Sequence, residues 1–398
     1  MLPIPPMAIS YLLGYSCAVS VLDSARAASL DQQVIDTLTT TRHMVTLPVV
    51  NHAYAQYTTS IAAGNPPQNF SAIIDLAWSD AWLPSIDCHR YCASHRCYNA
   101  SASATYVNRH GRVQVNDGGY YTAGVVATDS FHVGGIEVQG QVSENADMVH
   151  PNYFFDDTWY EATLPLARTT VPPQIDSSLS VPSVFENMMG QQLLSRNVVA
   201  LRLPGSKHEL GELTLGGANA RYTDAALNAS HLPIKDGLDL DPGWKSFWIH
   251  GGWYAEAVSV VLGSEPERIS FDLRGYIAVF ETVSPHILLP KAFLAEMFDN
   301  IGSDGIDCPC NRVDELPALT ISLLGHEGEV HEFVIPPEDY LRSEPDLPYT
   351  EPGMCNFFAG YNNGIQPEVP DFISLGTLFL HKYYNVFDAD RKVISSEY

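Results

Sequence analysis

The chain has 398 residues, enough for two substantial domains or one bilobal fold. Its 46 Asp and Glu against 21 Lys and Arg give a formal charge of −25, which argues against nucleic acid and anionic membrane surfaces as partners. The excess fits either plain solubility or a surface adapted to acidic surroundings, where many carboxylates are neutral.

In chain order, Ala8–Leu22 is an apolar run too short to span a bilayer comfortably. Ala25-Arg26-Ala27 after it is a small-x-small cleavage pattern, and the two predict a signal peptide over residues 1–27, without a basic residue ahead of the apolar run. No other segment is long enough to cross a membrane. Three N-x-[ST] sequons, at Asn69, Asn99 and Asn228, fit a secreted, glycosylated chain. Cys17 leaves with the signal; Cys88, Cys92, Cys97, Cys308, Cys310 and Cys355 remain. An even count in an oxidising compartment predicts disulfides, and the three-and-three split predicts one bridge and one spare thiol in each half. "CHRYCASHRC" (Cys88–Cys97) also holds His89 and His95, but its spacing fits no standard zinc pattern. It is read as a small disulfide loop, with no metal and no cofactor expected.

Strand signals dominate. Short runs rich in Val, Ile, Tyr, Thr and Phe, such as "AGVVATDSFHVGGIEVQGQV" and "ELTLGGANARY", alternate with Gly, Pro, Asn and Asp turns. Helical patterns are few and short: Pro182–Ser195 and Pro290–Gly302, the second opening on Pro290 as its first helical residue. The prediction is a mostly-β chain with a few short helices. Two stretches share a design. "FSAIIDLAWSDAWLPS" climbs through apolar residues to Asp75, and "YIAVFETVSPHILLP" climbs to Glu281. Each carries a Pro nine positions later, Pro84 and Pro290. A buried carboxylate is costly unless it is hydrogen-bonded or used. The repetition suggests two related halves with a boundary near Ser195–Gly205 and a ligand cleft between them.

At these residues the sequence resembles the pepsin-like aspartic peptidases, especially fungal secreted ones, over roughly Ala55 to Tyr398. The most specific matches are "SLGTLFLHKYYNVFDADRKV", "GELTLGGANARYT", "AYAQYTTSIAAGNPPQNFSAIID" and "DSFHVGGIEV". "CPCNRVDELPALTISL" with "GMCNFF" adds the second-lobe disulfide region, so the resemblance implies that Cys355 pairs with Cys308 or Cys310. It also implies an all-β bilobal fold with an interlobe cleft, an N-terminal lobe over 55–200 and a C-terminal lobe over 201–398. In that family each lobe supplies one Asp in a D-T-G-[ST] turn. The two carboxylates share a proton and hold a water between them. By position the pair here is Asp75 and Glu281.

The match changes where the chemistry sits. The first turn reads Asp75-Leu76-Ala77-Trp78 where the family has D-T-G-S, and the second Glu281-Thr282-Val283-Ser284 where it has D-T-G-T, so six of the eight positions differ in identity, Ser284 conservatively. Leu76 lacks the hydroxyl that would interlock with Thr282. Trp78 cannot replace a hydroxyl beside Asp75, and Val283 fits a glycine position poorly. Glu281 carries one methylene more than Asp. On the hairpin that covers the family's cleft, "VNDGG" puts Val115 at the usual Tyr position, near Asp117, with Tyr120 or Tyr121 as the substitute. "ATLPLA" places Pro165 where the family has Gly. Residues 28–54 hold only Arg42 as a basic residue and leave little room for a basic propeptide. The cleft-lining set is therefore Trp78, Val115, Asp117, Tyr120, Thr282 and Ser284.

Three functions compete at this point. One is an atypical aspartic peptidase, its hydrolysis weak or altered. Another is a pseudo-peptidase binding a peptide or protein partner. The third is a non-hydrolytic enzyme of a fungal biosynthetic pathway acting on a small apolar molecule. In each the protein is a secreted monomer.

Overall fold

A computed structural model describes residues 44–52, 56–77, 80–92, 94–117, 120–149, 160–168, 181–223, 230–235, 252–303, 307–342, 353–361 and 371–397. The predicted signal peptide, Trp78 and Asn228 lie outside them. The alternation of apolar and polar residues becomes strands with one face inward. Val45–His52, for example, alternates buried and half-buried residues along its whole length. The first half contains β1 (Val45–His52), β2 (Gln56–Ala63), β3 (Gln68–Asp75), β4 (Ala81–Pro84), β5 (Val107–Asp117), β6 (Tyr120–Val133), β7 (Ile136–Val149) and β8 (Ala162–Pro165). The chain continues through β9 (Val198–Arg202), β10 (Gly211–Leu215), β11 (Ser230–Pro233), β12 (Trp253–Leu262), β13 (Ile269–Asp272), β14 (Ile277–Phe280) and β15 (Ile287–Leu289). It closes with β16 (Asp307–Pro309), β17 (Leu319–Leu324), β18 (Val330–Ile335), β19 (Leu341–Arg342), β20 (Met354–Phe357), β21 (Ala359–Tyr361), β22 (Phe372–Leu375), β23 (Tyr384–Asp388) and β24 (Val393–Glu397). The fold is mostly β, as the sequence predicts.

One sheet runs β11-β24-β23-β9-β10-β1-β2-β6-β7-β4, with β3, β5 and β8 attached, and a second runs β18-β17-β12-β14-β22-β15-β21. The first half and the C-terminal strands thus share hydrogen bonds through β1, β9, β10 and β23. The two halves repeat one pattern. β3 enters the Asp75 turn and lies parallel to β8; β14 enters the Glu281 turn and lies parallel to β22. The exit strands also match, β4 being parallel to β7 and β15 parallel to β21. An aromatic chain packs between the halves: Phe185 against Trp253 at 6.0 Å, Trp253 against Phe387 at 5.3 Å, and Phe387 against Phe280 at 5.9 Å.

The helices are shorter than their sequence patterns. Val184–Gly190 is capped by Ser183, whose hydroxyl accepts from Glu186 N at 2.9 Å, and it stops five residues before the end of its apolar pattern. Lys291–Ile301 begins one residue after Pro290, which stands at the N-cap rather than at the first helical position. It ends at Gly302, where a φ of 67° makes glycine the natural stop. No helix among the described residues is long and apolar enough to cross a membrane.

Each half holds one bridge and one thiol among the described residues. Cys88 bonds Cys92 and Cys310 bonds Cys355, which leaves Cys97 and Cys308 reduced. Cys308 lies opposite Cys355 in the β16–β20 register, yet Cys355 can take only one partner, and the Cys310 Cα is 5.0 Å away, within bonding range. Cys97 instead turns its sulfur toward the carbonyls of Cys92 and His95 at 3.7 Å. Removing the second bridge with Cys310→Ser is expected to lower stability by about 4 kcal/mol, the closure entropy of its long loop. The check is a reduced denaturant midpoint under non-reducing conditions.

Candidate functional site

Asp75 is the last residue of β3 and Glu281 the first residue after β14. Each is delivered by a fully inward strand end, Ile73-Ile74 in one half and Ala278-Val279-Phe280 in the other. Both carboxylates are buried, Asp75 at 8% and Glu281 at 2% exposure. Their backbones are fixed by the parallel neighbours: Leu166 N donates to Asp75 O at 2.7 Å, and Glu281 N donates to Leu375 O at 3.2 Å.

The side chains are held differently. Ala77 N donates to Asp75 Oδ1 at 2.9 Å, so an alanine supplies the backbone donor despite its methyl group. The Ser374 hydroxyl on β22 donates to Glu281 Oε1. β22 is the parallel neighbour of β14, so this contact lies within the second sheet. The sequence reading did not include Ser374. Its signal was a hydroxyl inside the apolar strand Phe372–Leu375, where a buried donor needs a partner.

The two turns are tied to each other by Thr282. Its Oγ1 donates to Ile74 O at 2.6 Å and accepts from Leu76 N at 3.2 Å. Half of the expected interlock is therefore built. The reciprocal half cannot form, because Leu76 is a fully buried apolar side chain in the main core. Replacing Thr282 by Val would leave a buried carbonyl and a buried N–H without their hydroxyl partner. It is expected to cost about 2–4 kcal/mol, to be read from equilibrium denaturation.

Val283 is 43% exposed, so its branched side chain avoids the crowding expected at a glycine position. Ser284 is engaged by His286: its Oγ accepts from His286 N at 3.1 Å and lies 3.2 Å from His286 Nδ1. His286 packs against Phe358 with ring centroids 5.6 Å apart, and burial pulls its pKa down to about 4.

The neighbouring loop differs between the halves. Gly376 N donates to His286 O at 3.1 Å, and a Cβ there would meet the Ser284 and His286 carbonyl oxygens at 2.4 Å. Pro165, paired with Asp75 in the register, has no N–H to make such a bond. The first-half loop is held instead by Trp253, whose Nε1 donates to Leu166 O at 3.2 Å from the opposite half of the chain. Val115, Asp117 and Tyr120 lie on the β5–β6 hairpin, where Asp117 and Tyr120 face each other in register next to the turn. Their side chains, like Trp78, are outside the described residues. Among the described residues no cluster of His, Cys, Asp and Glu is arranged to hold a metal.

The arrangement presents two buried carboxylates on two equivalent, cross-linked turns. Such a pair can accept, donate or share a proton. Comparison with known proteins points the same way. The profile described as eukaryotic aspartyl protease matches residues 56–397. The chain is 28% identical to cathepsin D of Dictyostelium discoideum, covering 88% of this chain and 85% of that one. It is likewise 28% identical to pepsin A of Gallus gallus (87% and 85% covered) and to cathepsin D of Homo sapiens (85% and 80% covered).

Proposed function

The chain belongs to the eukaryotic aspartyl protease family, and from that premise we propose that it hydrolyses peptide bonds weakly, through an atypical pair formed by Asp75 and Glu281. The observation that carries this reading is the Thr282 bridge, which spans 208 positions of sequence to hold the two carboxylate-bearing turns together. One carboxylate takes a proton from a water as the water attacks the peptide carbonyl. The other, protonated, donates to the carbonyl oxygen as negative charge builds there. Ala77 N orients the first carboxyl and Ser374 Oγ the second.

Secretion and the division into lobes belong to the same reading. Residues 1–27 serve as a signal peptide, and residues 55–200 and 201–398 form lobes flanking a peptide-binding cleft. Asn69, exposed on β3, and Asn99, which caps a short 3-10 turn, are glycan acceptors, together with Asn228. The test is digestion of an unstructured protein over about pH 3 to 6, with and without a statine-type transition-state mimic. Mimic-sensitive cleavage supports the proposal, and no cleavage at any pH eliminates it.

One observation favours a second reading: Leu76, fully buried, fills the place of a partner hydroxyl. A cleft so altered suits binding a peptide or a small apolar molecule without hydrolysis. That reading is supported if the mimic binds and no substrate is cut.

A further inference from the structure

A third carboxyl lies away from the Asp75–Glu281 pair, under the β5–β6 hairpin. Glu144 sits on β7 with Trp82 of β4 on one side and Val126 of β6 on the other, in register. It is 6% exposed. Its Oε2 accepts from Thr122 Oγ1 at 2.8 Å, and its Oε1 is buried without a hydrogen-bond partner. Thr122 is four positions along β6 from Glu144's register neighbour, so the side chain lies along the strand toward the hairpin turn. The local backbone permits this. β7 is bulged at Asp147, opposite Ala123–Gly124 of β6, and a Cβ on Gly124 would come within 2.3 Å of Asn145 O. Glycine lets the two strands close at this point.

The charged groups acting on Glu144 are Asp80 ahead of β4, Asp147 on its own strand and Arg112 on β5. Two of the three are acidic. The cation is engaged by Asp147 through two bonds of 2.6 and 2.7 Å. An ionised Glu144 would therefore add a third negative charge between apolar walls, with one oxygen lacking any donor.

We propose that Glu144 is a proton-controlled latch beside the β5–β6 hairpin: neutral, it stays buried with Thr122 bonded to it and the hairpin closed, and ionised, the cost of keeping its charge buried opens the hairpin. The Thr122 hydroxyl donates to either form, and more strongly to the anion, so the trigger is burial, whose penalty on the charged form exceeds that gain. Burial, opposed by the Thr122 hydrogen bond and Arg112 and helped by Asp80 and Asp147, pushes the Glu144 pKa up from the ordinary carboxylate range to about 8. A carboxyl raised in the folded state stabilises it fully in acid, and that contribution is lost as pH climbs through the raised value. The hairpin is thus closed in acid and loosened above neutrality. The hairpin carries Val115 and Tyr120, which the family resemblance sets over the cleft of the proposed peptidase, so the latch would couple ligand access to pH. The latch itself does not depend on hydrolysis.

The test is hydrogen exchange of the amides at 122–126, corrected for intrinsic exchange, on either side of the transition. In the unmodified protein, protection should fall by at least about tenfold on going from acid to mildly alkaline pH. Glu144→Gln, neutral at every pH, should stay protected throughout. Thr122→Val should lose protection already in acid. Equal pH dependence in Glu144→Gln, or none in the unmodified protein, overturns the latch. A 13C NMR titration of the Glu144 carboxyl needs no variant. It should report a midpoint near the raised value, with the 122–126 amide shifts moving on the same curve. A midpoint in the ordinary carboxylate range overturns the proposal.

Discussion

Asp75→Asn and Glu281→Gln are each expected to reduce acid-range cleavage of an unstructured protein by about 10²–10⁴-fold, the contribution of a positioned general acid or base. Neither exchange changes the volume of a side chain that is buried in a packed turn, so folding should survive. The backbone anchors, Leu166 N on Asp75 O and Glu281 N on Leu375 O, are untouched. Loss in both variants is what a shared-proton pair requires, because each carboxyl is useless without the other. Loss in only one assigns the reaction to a single carboxylate. Retained cleavage in both, or cleavage that ignores the mimic, removes the pair from the chemistry altogether. Thermal midpoints on the same samples separate a chemical loss from an unfolded one.

Glu281→Asp is expected to move the rate the other way, raising it by about 10²-fold. The extra methylene shifts the carboxyl by roughly an ångström, and a displacement of that size is worth about two orders of magnitude in a positioned reaction. The structure adds a reason: the longer arm reaches Ser374, which holds Oε1 toward β22. A shorter Asp releases that contact. Ser374→Ala in the Glu281 background is the control. A rise there as well attributes the deficit to the serine's hold. No rise in either variant shows that Leu76, Trp78 and Val283 limit the reaction, and the second, non-hydrolytic reading then gains.

Much of the fold was legible in the sequence because its signals are local. The strands follow from two-residue periodicity and the turns from Gly, Pro, Asn and Asp. The likeness of the stretches around Asp75 and Glu281 became a real structural repeat, β3 beside β8 and β14 beside β22, because similar apolar runs ending in a carboxylate make similar strand ends. The helix limits were less legible. The apolar pattern continues past Gly190, but Leu194 is buried from a turn rather than from a helix. Burial can follow the helical period without the backbone doing so.

The sequence by itself determined the β class, the grouping of the cysteines and the positions of two carboxylates that had to be buried. Tertiary structure decided which sulfur Cys355 bonds, that Thr282 reaches Ile74 and Leu76, that Ser374 restrains Glu281, and that Thr122 covers Glu144. The physical reason is range and direction. Residue type and local spacing are written along the chain, whereas a hydrogen bond between groups 93 or 208 positions apart exists only once strand register has aimed both side chains at one point.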